Sequence, residues 1–231
     1  SQLLLGKKSI ESLVNKKVII FGVGGVGSYV SEGLARTGIG NFTLVDNDVV
    51  CKSNINRQIV ALHSTIGKYK VDVMKNRIKD INPLAEVETI KEFYLPNQSN
   101  INLEEYDYVI DAIDTVSAKL DIATICYNKN IPLISAMGCG NKLDPTKLQF
   151  ADIYETHTCR LAKVMRYELK KRNVKKLNVV YSTEKVAKRE ELDNITSNKR
   201  QTPGSVSFVP SVAGLMIAGK LIMDLTYGLR P

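Results

Sequence analysis

The stretch Val18-Ile19-Ile20-Phe21-Gly22-Val23-Gly24-Gly25-Val26-Gly27-Ser28 decides the fold. Its first four apolar residues read as a buried strand, and the glycines open directly into a helical pattern. Gly22, Gly24 and Gly27 occupy the three glycine places of a G-x-G-x-x-G arrangement. Each meets a physical need: a tight turn, close approach of backbone to phosphate, and close packing of helix on strand. Amides at the start of the next helix then face an anion, helped by the helix dipole. The motif alone predicts a nucleotide, with NAD as the default. A glycine-rich turn without a ligand is the plainer alternative.

Working outward, a short amphipathic helix over 10–14 precedes the strand, and Gly38 and Gly40 stop the helix that follows the glycines. A second strand over 41–46 ends in Asp46, nineteen residues beyond Gly27. Rossmann-type sites place an acid there for ribose hydroxyls, although a strand-end acid also caps helices. The polar, turn-forming run 46–58 lies at the carboxyl end of that strand. Val71, Met74, Ile78 and Ile81 recur at helical spacing and predict a helix over 67–81, which Asn82-Pro83 ends. Strands are predicted over 86–90, 106–113 and 131–136, with Asp114-Thr115 capping a helix that runs through Cys126. Such alternation means an α/β fold: a Rossmann-like, doubly wound, mostly parallel sheet. Beyond Asp144-Pro145 the pattern changes. Strands over 148–153 and 177–183 flank a basic helix over 158–172, and 184–203 reads as a mobile loop. A closing strand or turn and a long apolar helix fill 205–228. We therefore expect one domain over 1–231, with a nucleotide-binding core (1–150) and a decorated C-terminal third (151–231).

The 231 residues, 44% hydrophobic and 24% charged, are those of a globular protein with core enough to need no staples. A formal charge of +8 points to an anionic partner larger than a nucleotide. Cys51, Cys126, Cys139 and Cys159 include no C-x-x-C pair, which argues against a zinc ribbon or a disulfide framework. The long apolar run 206–223 is interrupted by Pro210 and Lys220, so it predicts a buried helix and no membrane span. No signal peptide is visible, and the expected compartment is the cytoplasm.

Three features turn the prediction from NAD to ATP. Arg57, within Ser53-Asn54-Ile55-Asn56-Arg57-Gln58, can fork onto two phosphate oxygens. Lys68 and Lys70, placed in the first turn of a helix, oppose its dipole, and a triphosphate would compensate. Asp114, closing Asp111-Ala112-Ile113-Asp114, is placed to hold Mg²⁺ between phosphates or to cap the next helix. All lie at the carboxyl edge of one sheet and together describe an ATP site with magnesium.

GVGGVGS (22–28), LVDND (44–48), SNINRQ (53–58), IGKYKVD (66–72) and DAID (111–114) resemble the ThiF- and MoeB-like adenylyltransferases related to ubiquitin activators. That superfamily includes the molybdopterin and thiamine sulfur-carrier activators, and the resemblance covers residues 6 to about 150. INRQIVAL, RIKDINP, DAIDTVSAKL, IPLISAMGCGNKLDPTKLQFADI and VVYSTE look like one branch, the tRNA threonylcarbamoyladenosine dehydratases. Such enzymes activate the carboxylate of threonylcarbamoyladenosine beside the anticodon and close it to a cyclic form. The resemblance implies that Gly22, Gly24, Gly25 and Gly27 line the phosphates and Asp46 binds the ribose. Asn54, Arg57 and Gln58 would orient the triphosphate, Lys70 would stabilise charge at the reacting phosphorus, and Asp114 would hold Mg²⁺. Ring closure by a nitrogen of the same substrate is intramolecular and needs no enzyme nucleophile.

A homodimer and a cysteine desulfurase or sulfur-acceptor partner also follow from the resemblance. Relatives have an N-terminal arginine that reaches the γ-phosphate of the neighbouring subunit's ATP. Here no arginine precedes Arg36, so that segment is missing or the contact is made otherwise. Carrier-protein activators often carry a reactive cysteine in a crossover loop. Cys159 lies in that region among Arg160, Lys163 and Arg166, though an unreactive thiol at a helix start is the simpler expectation.

From Arg160 to Lys176 eight Lys or Arg residues face one acid, Glu168. On a helix, Arg160, Lys163, Arg166, Lys170 and Lys171 fall on one arc, and Leu161, Val164, Met165 and Leu169 on the other. The basic arc predicts RNA against a merely solvated face, and the resemblance implies that this RNA is tRNA, with no DNA. The rival functions are a ubiquitin-like or sulfur-carrier activator, a non-catalytic nucleotide-binding scaffold, and an NAD dehydrogenase.

Overall fold

A computed structural model describes residues 1–96, 98–186 and 204–229. In chain order the strands are β1 (Lys17–Phe21), β2 (Asn41–Val45), β3 (Glu86–Ile90), β4 (Tyr108–Asp111), β5 (Leu133–Ala136), β6 (Leu148–Asp152) and β7 (Asn178–Ser182). The helices are α1 (Gln2–Leu5), α2 (Lys7–Val14), α3 (Gly27–Thr37), α4 (Lys70–Ile81), α5 (Val116–Lys129), α6 (Arg160–Lys171) and α7 (Phe208–Leu225).

β1 is buried from Val18 to Phe21 because helices cover both faces of the sheet. Its alternation sorts the core into two halves. Val18 and Ile20 pack with Val30 and Leu34 of α3, Met74 and Ile78 of α4, and Ile217 and Leu221 of α7. Ile19 and Phe21 face Ile122 and Cys126 of α5 and Met165 and Leu169 of α6. The strand order is β3-β2-β1-β4-β5-β7-β6, parallel throughout except for β6, which runs antiparallel to β7. This is the expected doubly wound sheet. Chain order reverses between β1 and β4, and the crevice beyond their carboxyl ends is where open α/β sheets bind ligands.

α7 is long and apolar enough to cross a membrane, yet it packs inside the domain along α3. The two helices meet so closely that a Cβ on Gly214 would lie 2.4 Å from the Val26 carbonyl oxygen. Its buried face runs through Val209, Ala213, Ile217, Leu221 and Ile222.

The structure departs from several sequence expectations. α4 starts at Lys70, not at 67, because Gly67 takes φ 83° and the next residues pair with the β2–α4 loop. The Val50 amide donates to the Lys68 carbonyl at 2.8 Å, and Val49 bridges Tyr69. Lys68 is therefore outside the helix. β4 covers only Tyr108–Asp111 of the strand expected over 106–113: past its end the Ile113 amide donates to the Asp111 side chain and not to a neighbouring strand. Of the closing strand or turn expected just before α7, no strand forms over 204–207. The 150 boundary falls inside β6, and β7 inserts between β5 and β6, so core and extension share one sheet. Of the tract 184–203, expected as a mobile loop, all but 184–186 lies outside the described residues.

Candidate active site

The glycine loop leaves β1 at its carboxyl end and enters α3. Gly22 sits at φ 86°, and a Cβ there would approach the Ala112 carbonyl oxygen to 2.7 Å. At Gly27 a Cβ would lie 1.8 Å from the Gly22 carbonyl oxygen. Only glycine fits at either place, and the turn stays tight enough to present backbone amides to the crevice. Asp46, ending β2, holds the turn from the side. Its Oδ2 accepts from the Val23 amide at 2.7 Å and its Oδ1 from the Asp48 amide at 2.9 Å. A carboxylate offers about four lone-pair sites, so this leaves capacity for ribose hydroxyls. The acid expected from sequence to bind ribose is a buttress of the loop.

The run after β2 folds back over the glycines. Gly24 faces the Gln58 amide group, and Gly25 packs against Pro210 of α7 and the stem of Arg57. Gln58 is buried, and its Oε1 has no hydrogen-bond partner among the described residues. A buried acceptor without a donor beside the glycine loop is what a site for a ligand carrying N–H or O–H groups presents. Arg57 uses one guanidinium nitrogen, Nη1, which donates to the Ser53 carbonyl and to Asn56 Oδ1, both at 2.9 Å. Asn54 accepts from the Cys51 amide through Oδ1 at 3.0 Å. Asn56 donates to the Ser205 carbonyl at 2.9 Å, tying this loop to the chain entering α7.

Lys70, the first residue of α4, is buried, and its Nζ donates to Asp48 Oδ2 at 2.6 Å. The Asp48 side chain is 62% exposed. The ammonium thus points from the core toward the loop that follows β2. On the β4 side, Asp114 is exposed, and neither it nor Thr115 caps α5 through its side chain. The capping alternative for Asp114 is thereby set aside. Among the described residues no group of three or more His, Cys, Asp or Glu could hold a metal by itself. Asp114 fits the arrangement in which Mg²⁺ takes one carboxylate, phosphates and waters.

One pair at this edge escaped the sequence reading. Lys119 of α5 and Asp111 of β4 are both fully buried, 2.9 Å apart. Lys119 Nζ also donates to the Ala136 carbonyl at 2.8 Å and the Ile113 carbonyl at 3.2 Å, while Ser135 Oγ donates to Asp111. The pair ties the carboxyl ends of β4 and β5 together beneath Asp114. A lysine three and seven residues from buried Ile122 and Cys126 was its signal, because a charge on a core-facing arc requires a partner.

The four cysteines differ in setting. Burial pushes the Cys139 thiol up to about 12, with Cys159 and Asp114 adding to the effect. Burial likewise raises Cys126 to about 12. Cys159 is buried and caps α6, its Sγ accepting from the Ala162 amide. Cys51 is exposed.

α6 starts at the carboxyl edge of the sheet, beside Cys139, and runs back toward the amino edge, where β7 begins. Its buried face is Ala162, Met165 and Leu169, whereas Val164 is 46% exposed, so the apolar arc is rotated from the expected one. The expected basic arc divides. Arg160, Lys163 and Lys170 are exposed. Arg166 is turned inward, its Nη1 donating to the Thr156 carbonyl at 2.8 Å and to the Thr156 hydroxyl. Lys171 pairs with Glu168 at 2.8 Å and lies 4.0 Å from the centre of the Tyr167 ring.

The arrangement is thus a glycine turn at a topological switch point, bordered by an acid, an arginine, a buried lysine and a buried amide. The comparisons with known proteins agree with it. The tRNA threonylcarbamoyladenosine dehydratase of Bacillus subtilis (strain 168) is 46% identical over 236 residues, covering 97% of this chain and 92% of the relative. A solved structure described as TcdA (CsdL) superposes with a TM-score of 0.84 at 32% identity, covering 97% of this chain and 91% of that one. The E. coli tRNA N6-threonylcarbamoyladenosine dehydratase, TcdA, in complex with ATP gives 0.80 at 33% identity, covering 95% and 90%. The ThiF family model matches residues 1–226, and the chain belongs to the ThiF family.

Proposed function

We propose that this protein is an ATP-dependent tRNA-modifying enzyme that adenylates the carboxylate of threonylcarbamoyladenosine in tRNA and closes it to the cyclic form. The observation that carries this reading is the likeness, along nearly the whole of both chains, to a relative bearing that dehydratase's name. The built nucleotide crevice supports it.

A carboxylate is a weak nucleophile and meets strong repulsion at a triphosphate. In this account the amides around Gly24 and Gly25 and the free guanidinium nitrogens of Arg57 hold the phosphates, and Asn54 and Gln58 orient them. Asp46 takes the ribose with its remaining lone pairs. Lys70 leaves exposed Asp48, which water can solvate, and turns its charge to the oxygens of the α-phosphorus as a carboxylate oxygen bonds there and pyrophosphate departs. Asp114 would hold Mg²⁺, which supplies charge neutralisation on the phosphates. The resulting acyl-adenylate is then attacked at its acyl carbon by a nitrogen of the same side chain. AMP leaves with the bonding electrons and the nitrogen loses its proton, so ATP consumption is coupled to net loss of one water. Holding the substrate side chain folded gives that closure a high effective concentration. The same reading carries a ligase-type, AMP-forming reaction and a homodimer working in the cytoplasm.

ATP–pyrophosphate exchange, measured with tRNA bearing the modified adenosine and with a carrier protein ending in Gly-Gly, tests the choice. Exchange that depends on the tRNA is expected. Exchange that depends on the Gly-Gly tail and ignores the tRNA would establish the carrier activator instead.

A further inference from the structure

Resting on that reading, we infer that the outer stripe of α6, made by Arg160, Lys163, Tyr167 and Lys170, is the surface that carries the RNA. These positions are spaced i, i+3, i+7 and i+10, so they lie within one narrow arc about 15 Å long. All four are exposed, and Tyr167 is 65% exposed. Internal pairing separates this stripe from the rest of the cluster. Arg166 is spent on Thr156, and Lys171 and Arg172 on Glu168. Arg160, Lys163 and Lys170 make no ion pair or side-chain hydrogen bond to the described residues, and Lys175 and Lys176 extend the exposed charge past the helix.

Three observations favour RNA over a solvated face. First, Arg160 and Lys163 stand in the first turn, where a helix carries no acid here and a cation opposes the dipole. Helix stability would place acids there, so these charges serve something outside the helix. Second, an aromatic ring lies among the cations. Lys171 covers one face of Tyr167 and leaves a ring suited to an unstacked base on the other. Third, Cys159, the cap of α6, lies near Cys139 in the turn that follows β5, so the helix begins at the carboxyl edge of the sheet and runs away from it. A polymer whose one base enters the crevice needs such a track for its neighbouring phosphates. Phosphates from several nucleotides match three cations in a row as no single nucleotide does.

The test compares the full-length wild type with the triple variant Arg160→Gln, Lys163→Gln, Lys170→Gln and with Tyr167→Ala. Each is assayed for dehydration of tRNA across a salt series and for ATP binding and melting temperature. All replaced side chains are exposed, so melting and ATP binding stay at wild-type values. The triple variant should raise KM for tRNA at least tenfold and flatten the slope of log affinity against log salt by about 2. Tyr167→Ala should raise KM about fivefold or more with the salt slope unchanged. If the wild type modifies tRNA and the triple variant does so with the same KM and slope, the stripe is a solvated face and the inference is wrong, while the proposed function stands. If the wild type does not act on tRNA at all, the function itself fails and the inference falls with it.

Discussion

Two buried lysines stand at the same sheet edge, and the exposure of their partners predicts opposite consequences for losing them. Lys70 pairs with an Asp48 side chain that is 62% exposed; Lys119 pairs with an Asp111 that is 0% exposed. Replacing Lys70 by Met keeps the aliphatic stem and leaves behind a carboxylate that water can solvate. The cost in stability is at most about 1 kcal/mol, the scale of an exposed pair. What the proposed mechanism would lose is the positive charge it assigns to the phosphates. Preorganised charge of this kind contributes about 3–4 kcal/mol to a transition state, so adenylation should fall roughly 100- to 1,000-fold. Lys119→Met is the converse. It strands a buried carboxylate and should cost about 3–5 kcal/mol, a large part of the 5–15 kcal/mol that holds a typical domain. The melting temperature then drops by about 10 °C, and Asp111→Asn added to it should recover part of the loss. Pyrophosphate exchange and thermal unfolding, measured on both variants, read the two quantities. Near-normal AMP formation by Lys70→Met would refute the role given to that ammonium. Wild-type melting of Lys119→Met would refute the claim that the Asp111 pair holds the edge together.

Three further outcomes follow from the geometry. Burial alone would raise the Glu32 carboxyl, but the Arg77 and Arg36 guanidiniums bonded to it hold it below the usual 4.5. A lowered folded value stabilises the protein above pH 4.5 and is lost as pH falls through that folded value. Glu32→Gln should therefore cost about 2 kcal/mol at neutral pH and progressively less below pH 4.5, as urea unfolding across pH would register; a deficit independent of pH contradicts the linkage. Gly27→Ala forces a Cβ to within 1.8 Å of the Gly22 carbonyl, so it should abolish ATP binding in calorimetry and cost more than about 3 kcal/mol. Cys159→Ala removes a helix cap and should lose about 1 kcal/mol with dehydration intact; inactivity of a folded Cys159→Ala protein would make that thiol a participant.

The sequence pattern revealed those parts of the fold that short-range physics controls. β1, β2 and β3 were readable because apolar runs between turn formers leave few choices, and Gly22 and Gly27 announced a turn that only glycine can make. Features set by long-range pairing were not readable. Gly67-Lys68-Tyr69 looked like a helix start, but its backbone is committed to Val49 and Val50, about twenty residues earlier. The α6 arc was misplaced because Ala162 adds little to an apolar pattern though it is fully buried, whereas Val164 adds much though it is half exposed. The candidate site residues Asp46, Arg57 and Lys70 are legible by type and spacing. That Asp46 holds the Val23 amide, that Arg166 turns inward to Thr156, and that Lys119 lies under the edge depend on which elements meet.

The central claim is that the crevice beside β1 and β4 uses ATP to close threonylcarbamoyladenosine within tRNA. Mass spectrometry of nucleosides from such tRNA, incubated with the protein, ATP and magnesium, tests it most directly. The account predicts conversion of that nucleoside to a product lighter by one water, with one AMP formed per nucleoside converted and none converted without ATP. An unchanged nucleoside, in a preparation that binds ATP and adenylates a carrier protein's C-terminus, would contradict it.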